Sequence, residues 1–171
     1  MTNTAVPAQS LIERIADLTG RATSWLTLLM VLMTGVVVVM RYVFDAGLIW
    51  MQESVTWMHA AVFMLGAAYT LQHEQHVRVD IFYRGMSERR RAVVDLVGVM
   101  VFLLPVCGFL AVASFDFAAA AWSMSEITRE PGGLPYPAIP LLKSIVVAMP
   151  VLLALQGLSL LLRSIAVLRQ S

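Results

Sequence analysis

Charged residues fall in clusters along the chain. Between the clusters lie four windows free of Asp, Glu, Lys and Arg: Ala22 to Met40, Ser54 to His73, Leu96 to Phe115 and Ser144 to Leu162. At about 1.5 Å per helical residue, a hydrocarbon layer of about 30 Å takes about 20 residues to cross, so each window predicts one transmembrane helix. With their apolar flanks the predicted spans cover residues 23–44, 48–73, 92–122 and 144–168. The third carries an internal check. Asp95 and Asp116 bracket its window, and their 21 steps correspond to roughly 32 Å, one carboxylate near each interface. Ahead of the first span, Leu11, Ile12, Ile15 and Leu18 recur at helical spacing while Glu13, Arg14, Asp17 and Arg21 face elsewhere. That pattern predicts a short interfacial amphipathic helix over 10–21, with Ser10 as its N-cap. The fold class is therefore an all-α membrane protein of four transmembrane helices preceded by this interfacial helix, a single integral membrane domain over residues 1–171.

Composition sharpens the picture by exclusion. Of 171 residues 59% are hydrophobic and 13% charged, well outside the usual balance of a soluble domain, which excludes a soluble enzyme. A net charge of +1 argues against a nucleic-acid partner, and the single Cys107 excludes an internal disulfide and any multi-cysteine metal centre. The first apolar run extends past a signal-peptide core and ends at Met40-Arg41-Tyr42-Val43 with no small-residue cleavage pattern, so it reads as a retained anchor.

Orientation follows from Lys and Arg. Nine lie in the N-terminal stretch, in the loop over residues 74–91 and in the C-terminal tail, against Arg41, Arg129 and Lys143 in the other two loops. The positive-inside rule then places both termini and the 74–91 loop in the cytoplasm of an inner-membrane protein. In that loop Arg89, Arg90 and Arg91 oppose the dipole of the third helix, a cost that anionic membrane lipids offset, while Ser87 and Glu88 suit a helix start. No glycine-rich phosphate loop accompanies them. The outward loop over 126–143 contains Pro131, Pro135, Pro137 and Pro140 with Gly132 and Gly133, and is expected to be non-helical and rigid. It reads equally as a surface for a partner and as a stiff connector. Pro105 and Pro150 lie inside spans and are expected to bend them.

Few polar groups sit at membrane depth. Glu53 lies about a turn and a half into the second helix, and Trp50, Glu53 and Trp57 share one face by their spacing. Arg41 closes the first helix at the same leaflet, so a structural Arg41–Glu53 ion pair within the hairpin is favoured over a proton or sodium site. One carboxylate without a second acid or a broken helix makes a poor ion cage. Only His59 lies deep in a span, which gives haem no facing axial pair, and His73 with His76 supplies two metal ligands without a third. No cofactor is expected. Glu53 and His59 stand about 600° apart around one helix, which excludes a shared catalytic site. Gln156, Gly157 and Ser159 form a small polar strip suited to helix packing.

Several of these residues also form an ordered signature. Trp50-Met51-Gln52-Glu53, then Trp57, then Leu65-Gly66-Ala67-Ala68, then His76-Val77-Arg78-Val79-Asp80 resembles the small membrane subunit, DctQ-like, of tripartite ATP-independent periplasmic (TRAP) transporters. The resemblance spans nearly the whole chain, including the Pro-rich loop that leads into Ile139-Pro140. Where that family often carries two acids, Gln52 precedes Glu53 here, so no role rests on the first acid. The resemblance implies a large multi-pass, DctM-like subunit that moves solute by an elevator-like motion, a soluble DctP-like periplasmic binding protein, and import of an organic acid or similar solute driven by sodium. It implies that the small subunit scaffolds the large one and helps dock the binding protein, without itself binding substrate. Trp50, Glu53 and Trp57 are then expected to pack or pair at the outer leaflet, and His76, Arg78 and Asp80 to anchor the cytoplasmic loop. The rival reading is a stand-alone four-helix membrane protein, either a small channel or a cofactor-holding electron-transfer subunit.

Overall fold

The computed structural model describes residues 7–73, 83 and 85–170. Four helices are long and apolar enough to cross a membrane. Helix α1 (Pro7–Val43) starts with proline in the first turn, where its missing N–H leaves no bond unmade. The amphipathic segment expected over 10–21 is helical and runs without a break into the first span, so Ser10 lies inside the helix and is not its cap. Thirty-seven residues correspond to about 55 Å, well over the hydrocarbon thickness, so α1 extends past the apolar layer or tilts within it.

A five-residue turn leads to α2 (Ile49–Gln72), closed by Ala46 N–H donating to Met40 O at 2.9 Å with Asp45 at φ 50°. Asp tolerates this left-handed conformation better than most residues. Helix α3 (Glu88–Ser123) is one continuous span with a wider, π-helical stretch at Val99–Leu103. The cause lies two residues on: Pro105 has no N–H to offer the preceding turn, and the widened turn absorbs the missing bond. Helix α4 (Ala138–Gln170) carries Pro150 within it, fully buried. It begins ahead of the expected residue 144. Pro140 falls in its first turn, where free N–H groups are the rule, so this proline does not keep residues 138–143 out of the helix.

The helices do not close into a bundle with one core. Helix α4 is central, packing against α2, α3 and, less extensively, α1; α2 also packs on α1, while α3 leans on α4. Many buried positions are small, among them Ala16, Ala61, Ala68, Ala92, Ala118, Ala121 and Ser159, alongside the larger Met51, Met58 and Gln156. Helices approach closely where there is least side chain, as expected when lipid offers no hydrophobic drive between spans. Gly20 of α1 meets the Tyr69 ring of α2, and Gly157 of α4 meets Leu103 and Val99 from the π-helical stretch of α3. Large apolar side chains instead point outward, among them Trp25, Leu32 and Val36 on α1 and Phe102, Phe109 and Phe115 on α3.

One end of the assembly is tied by polar contacts. Arg163 of α4 pairs with Glu13 of α1, and Gln72 Nε2 donates to Asp17 Oδ1 at 3.2 Å. Tyr83 OH donates to Asp95 Oδ2 at 2.7 Å, while Arg91 Nε donates to the carbonyls of Tyr83 and Met86 at 3.1 Å each. Arg91 is thus occupied in fixing the start of α3, whereas Arg89 and Arg90 are exposed.

Candidate functional site: the proline-rich loop and its clasp

At the opposite end, α3 finishes in a defined exit. Glu126 N–H donates to Ala121 O at 3.0 Å and Ser125 N–H to Trp122 O at 3.2 Å, with Ser125 at φ 48°. This is the Schellman arrangement, with serine in the left-handed position usually given to glycine. The loop then folds on itself. Gly133 N–H donates to Glu130 O at 3.1 Å across Pro131 and Gly132, the latter at φ 79°. Proline second and glycine third is what a type II turn demands, because only the third residue needs positive φ. Thr128 Oγ1 accepts from Glu130 N–H at 3.3 Å, and Ala138 N–H donates to Pro135 O at 3.0 Å, which delivers the chain into α4.

Two side chains of α2 hold this loop from beneath. The Glu53 carboxylate accepts a hydrogen bond from the Thr128 hydroxyl at one oxygen and from Leu134 N–H at 2.6 Å at the other. Trp57 Nε1 donates to Ala138 O at 3.1 Å, one turn further down the same face. Gly133 sits against the Glu53 carboxylate, and a Cβ there would collide with Thr128 Cγ2 and Glu53 Oε2. Bonds to an ionised carboxylate are about twice as strong as neutral ones, and here two of them bridge a sequence separation of some 80 residues.

Further contacts fasten the loop's two ends. Lys143 Nζ pairs with Glu126 Oε2 at 2.5 Å and lies 3.9 Å from the centre of the Phe117 ring. Trp122 Nε1 donates to Ser144 Oγ at 2.9 Å, and its ring meets Tyr136 edge-on. The loop presents Met124, Ile127, Arg129, Glu130 and Tyr136 to the outside.

The sequence placed Glu53 and Trp57 on one face, and the structure brings both to the loop. The expected Arg41–Glu53 pair is not formed: Glu53 faces the loop over α4, whereas Arg41 is exposed at the end of α1. Trp50 shares the predicted face but is 44% exposed, level with the mouth of the hairpin. His76, Arg78 and Asp80 lie outside the described residues. Sequence reasoning missed Thr128, Gly133 and Leu134. The Glu130-Pro131-Gly132-Gly133 turn was open to discovery from its residue types, but nothing local marks Thr128 or the Leu134 amide as partners of a helix so far away in sequence.

The concavities elsewhere are grooves between neighbouring helices. One of about 770 Å³ lies between α1 and α2, is bordered by Met149 and Leu153 of α4, and includes Thr23, Ser24, Thr27 and Thr70. Each of these hydroxyls donates to a carbonyl of its own helix. Their protons are committed, and the groove gathers no convergent polar set for a hydrophilic solute. His59 lines a smaller groove with Thr34 and Thr56, its ring 6.0 Å from that of Phe63. Among the described residues no three of His, Cys, Asp and Glu come together in metal-binding range.

No curated protein and no solved structure matches the chain. Residues 30–167 match the family of DctQ components of tripartite ATP-independent periplasmic transporters, which takes in the C-terminal part of α1, the whole clasp and nearly all of α4. With four membrane-spanning helices and this match over most of its length, the chain belongs to the DctQ family, the small multi-pass membrane component of TRAP transporters.

Proposed function

We propose that this chain is the small accessory subunit that scaffolds a large DctM-like transport subunit and helps dock a DctP-like periplasmic binding protein, in a sodium-driven importer of an organic acid or similar solute. The observation that carries the scaffolding role is the outward display of large apolar side chains on α1 and α3, combined with close helix contacts made at small residues such as Ala61, Ala68, Ala118 and Ala121. Such helices gain from a protein neighbour through packing, not through water exclusion, and two broad faces are left for one. Both termini and the 74–91 loop face the cytoplasm in this reading, and the clasped loop faces the periplasm. Three features of the charge pattern support it: nine of twelve basic residues fall in the terminal segments and the 74–91 loop of the sequence, Arg163 and Glu13 tie the two terminal helices together, and Arg89 and Arg90 are exposed where they can meet anionic lipid. His76, Arg78 and Asp80 then anchor the inner loop.

Co-expression of the tagged chain with the products of its flanking genes, followed by purification in mild detergent, tests the assignment. A large multi-pass protein recovered in fixed ratio is the expected result. A chain that purifies alone, folded and with haem absorbance or conductance of its own, would overturn it in favour of a stand-alone four-helix membrane protein.

A further inference from the structure

From the geometry around Glu53 we infer that Glu53, Thr128 and Gly133 are positioning residues that lock the Pro-rich outer loop into a preformed docking surface for the soluble binding protein. The inference rests on the docking reading above and adds how the surface is held. Three observations converge on it. Glu53 spends both carboxylate oxygens on the loop, one on a side chain and one on a backbone amide, so it fixes the loop's course as well as its proximity. The residue that packs on the carboxylate is glycine, and any Cβ would occupy the space of Glu53 Oε2 and Thr128 Cγ2. The loop is also braced at both ends, by Trp122 on Ser144, by Lys143 on Glu126 and by Trp57 on Ala138.

A stretch of this length without regular structure ordinarily moves, and ordering it on contact subtracts from affinity. Here the ordering is done in advance, by a carboxylate at the top of a transmembrane helix. Glu53 then acts through the loop that it holds. Its carboxylate is turned inward under the loop, while Ile127, Arg129, Glu130 and Tyr136 form the outer face. That face is mixed in charge with apolar and aromatic members, a composition suited to a soluble protein that must bind and leave.

The test uses the assembled transporter in proteoliposomes, with purified binding protein titrated from the outside and solute uptake measured. Glu53→Ala, Thr128→Val and Gly133→Ala are each expected to raise the half-saturating concentration of binding protein about tenfold, with the maximal rate recovered at saturation. Thr128→Ser keeps the hydroxyl and should match the parent. In parallel, hydrogen exchange at the Leu134 amide should quicken in Glu53→Ala and in Gly133→Ala. Unchanged exchange would overturn the clasp, as would a Thr128→Ser variant that behaves like Thr128→Val. Faster exchange with unaltered half-saturation would overturn the positioning role. A loop shortened across residues 129–132 separates the two layers of argument: if it too leaves half-saturation unchanged, the docking reading itself fails, whereas weakened docking there with normal behaviour in all three clasp variants sinks the clasp alone. Gly133→Ala keeps both hydrogen-bonding partners, so it also serves where Glu53→Ala fails to assemble.

Discussion

Gly20 is the sharpest place to test whether small residues set the helix contacts. It is buried in α1, and a Cβ built on it falls inside contact distance of three ring carbons of Tyr69 on α2. Because all three lie within 2.8 Å of the added atom the whole ring must shift, and it already rests tilted against His73 with centroids 4.1 Å apart. Overpacking of this kind costs about 1 to 3 kcal/mol, and a rigid aromatic neighbour places Gly20→Ala in the upper half of that range. The intrinsic preference of a helix for alanine over glycine returns about 1 kcal/mol. The net expectation is a loss of about 1 to 2 kcal/mol, or a five- to thirty-fold shift toward the unfolded state. Gly35, on the same helix, has nothing within 4 Å of its would-be Cβ, so Gly35→Ala should be neutral or slightly stabilising. Reversible unfolding in mixed micelles, followed by circular dichroism, compares the two directly. The pair Gly20→Ala with Tyr69→Leu should recover part of the loss by removing the ring. Equal stability of Gly20→Ala and Gly35→Ala would refute the close-approach argument.

Three further outcomes are expected. Gly157→Leu drives a side chain into Leu103 and Val99 of α3, and should loosen α3 from α4 by about 1 to 3 kcal/mol, read as lost stability in the same micelle assay. Gln156 is 3% exposed and its Oε1 has no partner among the described residues, so Gln156→Leu should leave stability unchanged or raise it by up to about 1 kcal/mol; a clear loss would mean the carbonyl oxygen is satisfied. Trp57→Phe keeps the apolar ring but removes the donor to Ala138 O, and should cost about 1 kcal/mol while speeding hydrogen exchange at the entry to α4.

The four spans were legible because transferring a charge to hydrocarbon is costly enough to keep long stretches of sequence clear of Asp, Glu, Lys and Arg. That constraint acts on single residues in order, and so it can be read in order. Proline was legible only in part. Pro105 marks the irregular stretch of α3, but Pro140, expected to keep the chain out of a helix, sits harmlessly in the first turn of α4. The residue types are the same; what differs is whether the missing N–H would have had a partner.

The family signature around Glu53 was likewise visible, but the partner of Glu53 was not. Proximity in sequence suggested Arg41, across a short hairpin, because hairpin neighbours are the only spatial neighbours that a sequence guarantees. The structure instead pairs Glu53 with Thr128 and Leu134. Which face of α2 meets which neighbour depends on how α4 inserts beside it, a packing between segments some 80 residues apart that brings Trp57 to Ala138. The sequence by itself determined that this chain spans a membrane four times, where each span lies, and which carboxylate sits deep enough to need a partner. Only the tertiary structure decided what that partner is, since burial cost is a property of one residue at one depth, whereas a hydrogen bond between distant segments exists only once helix packing has brought them together.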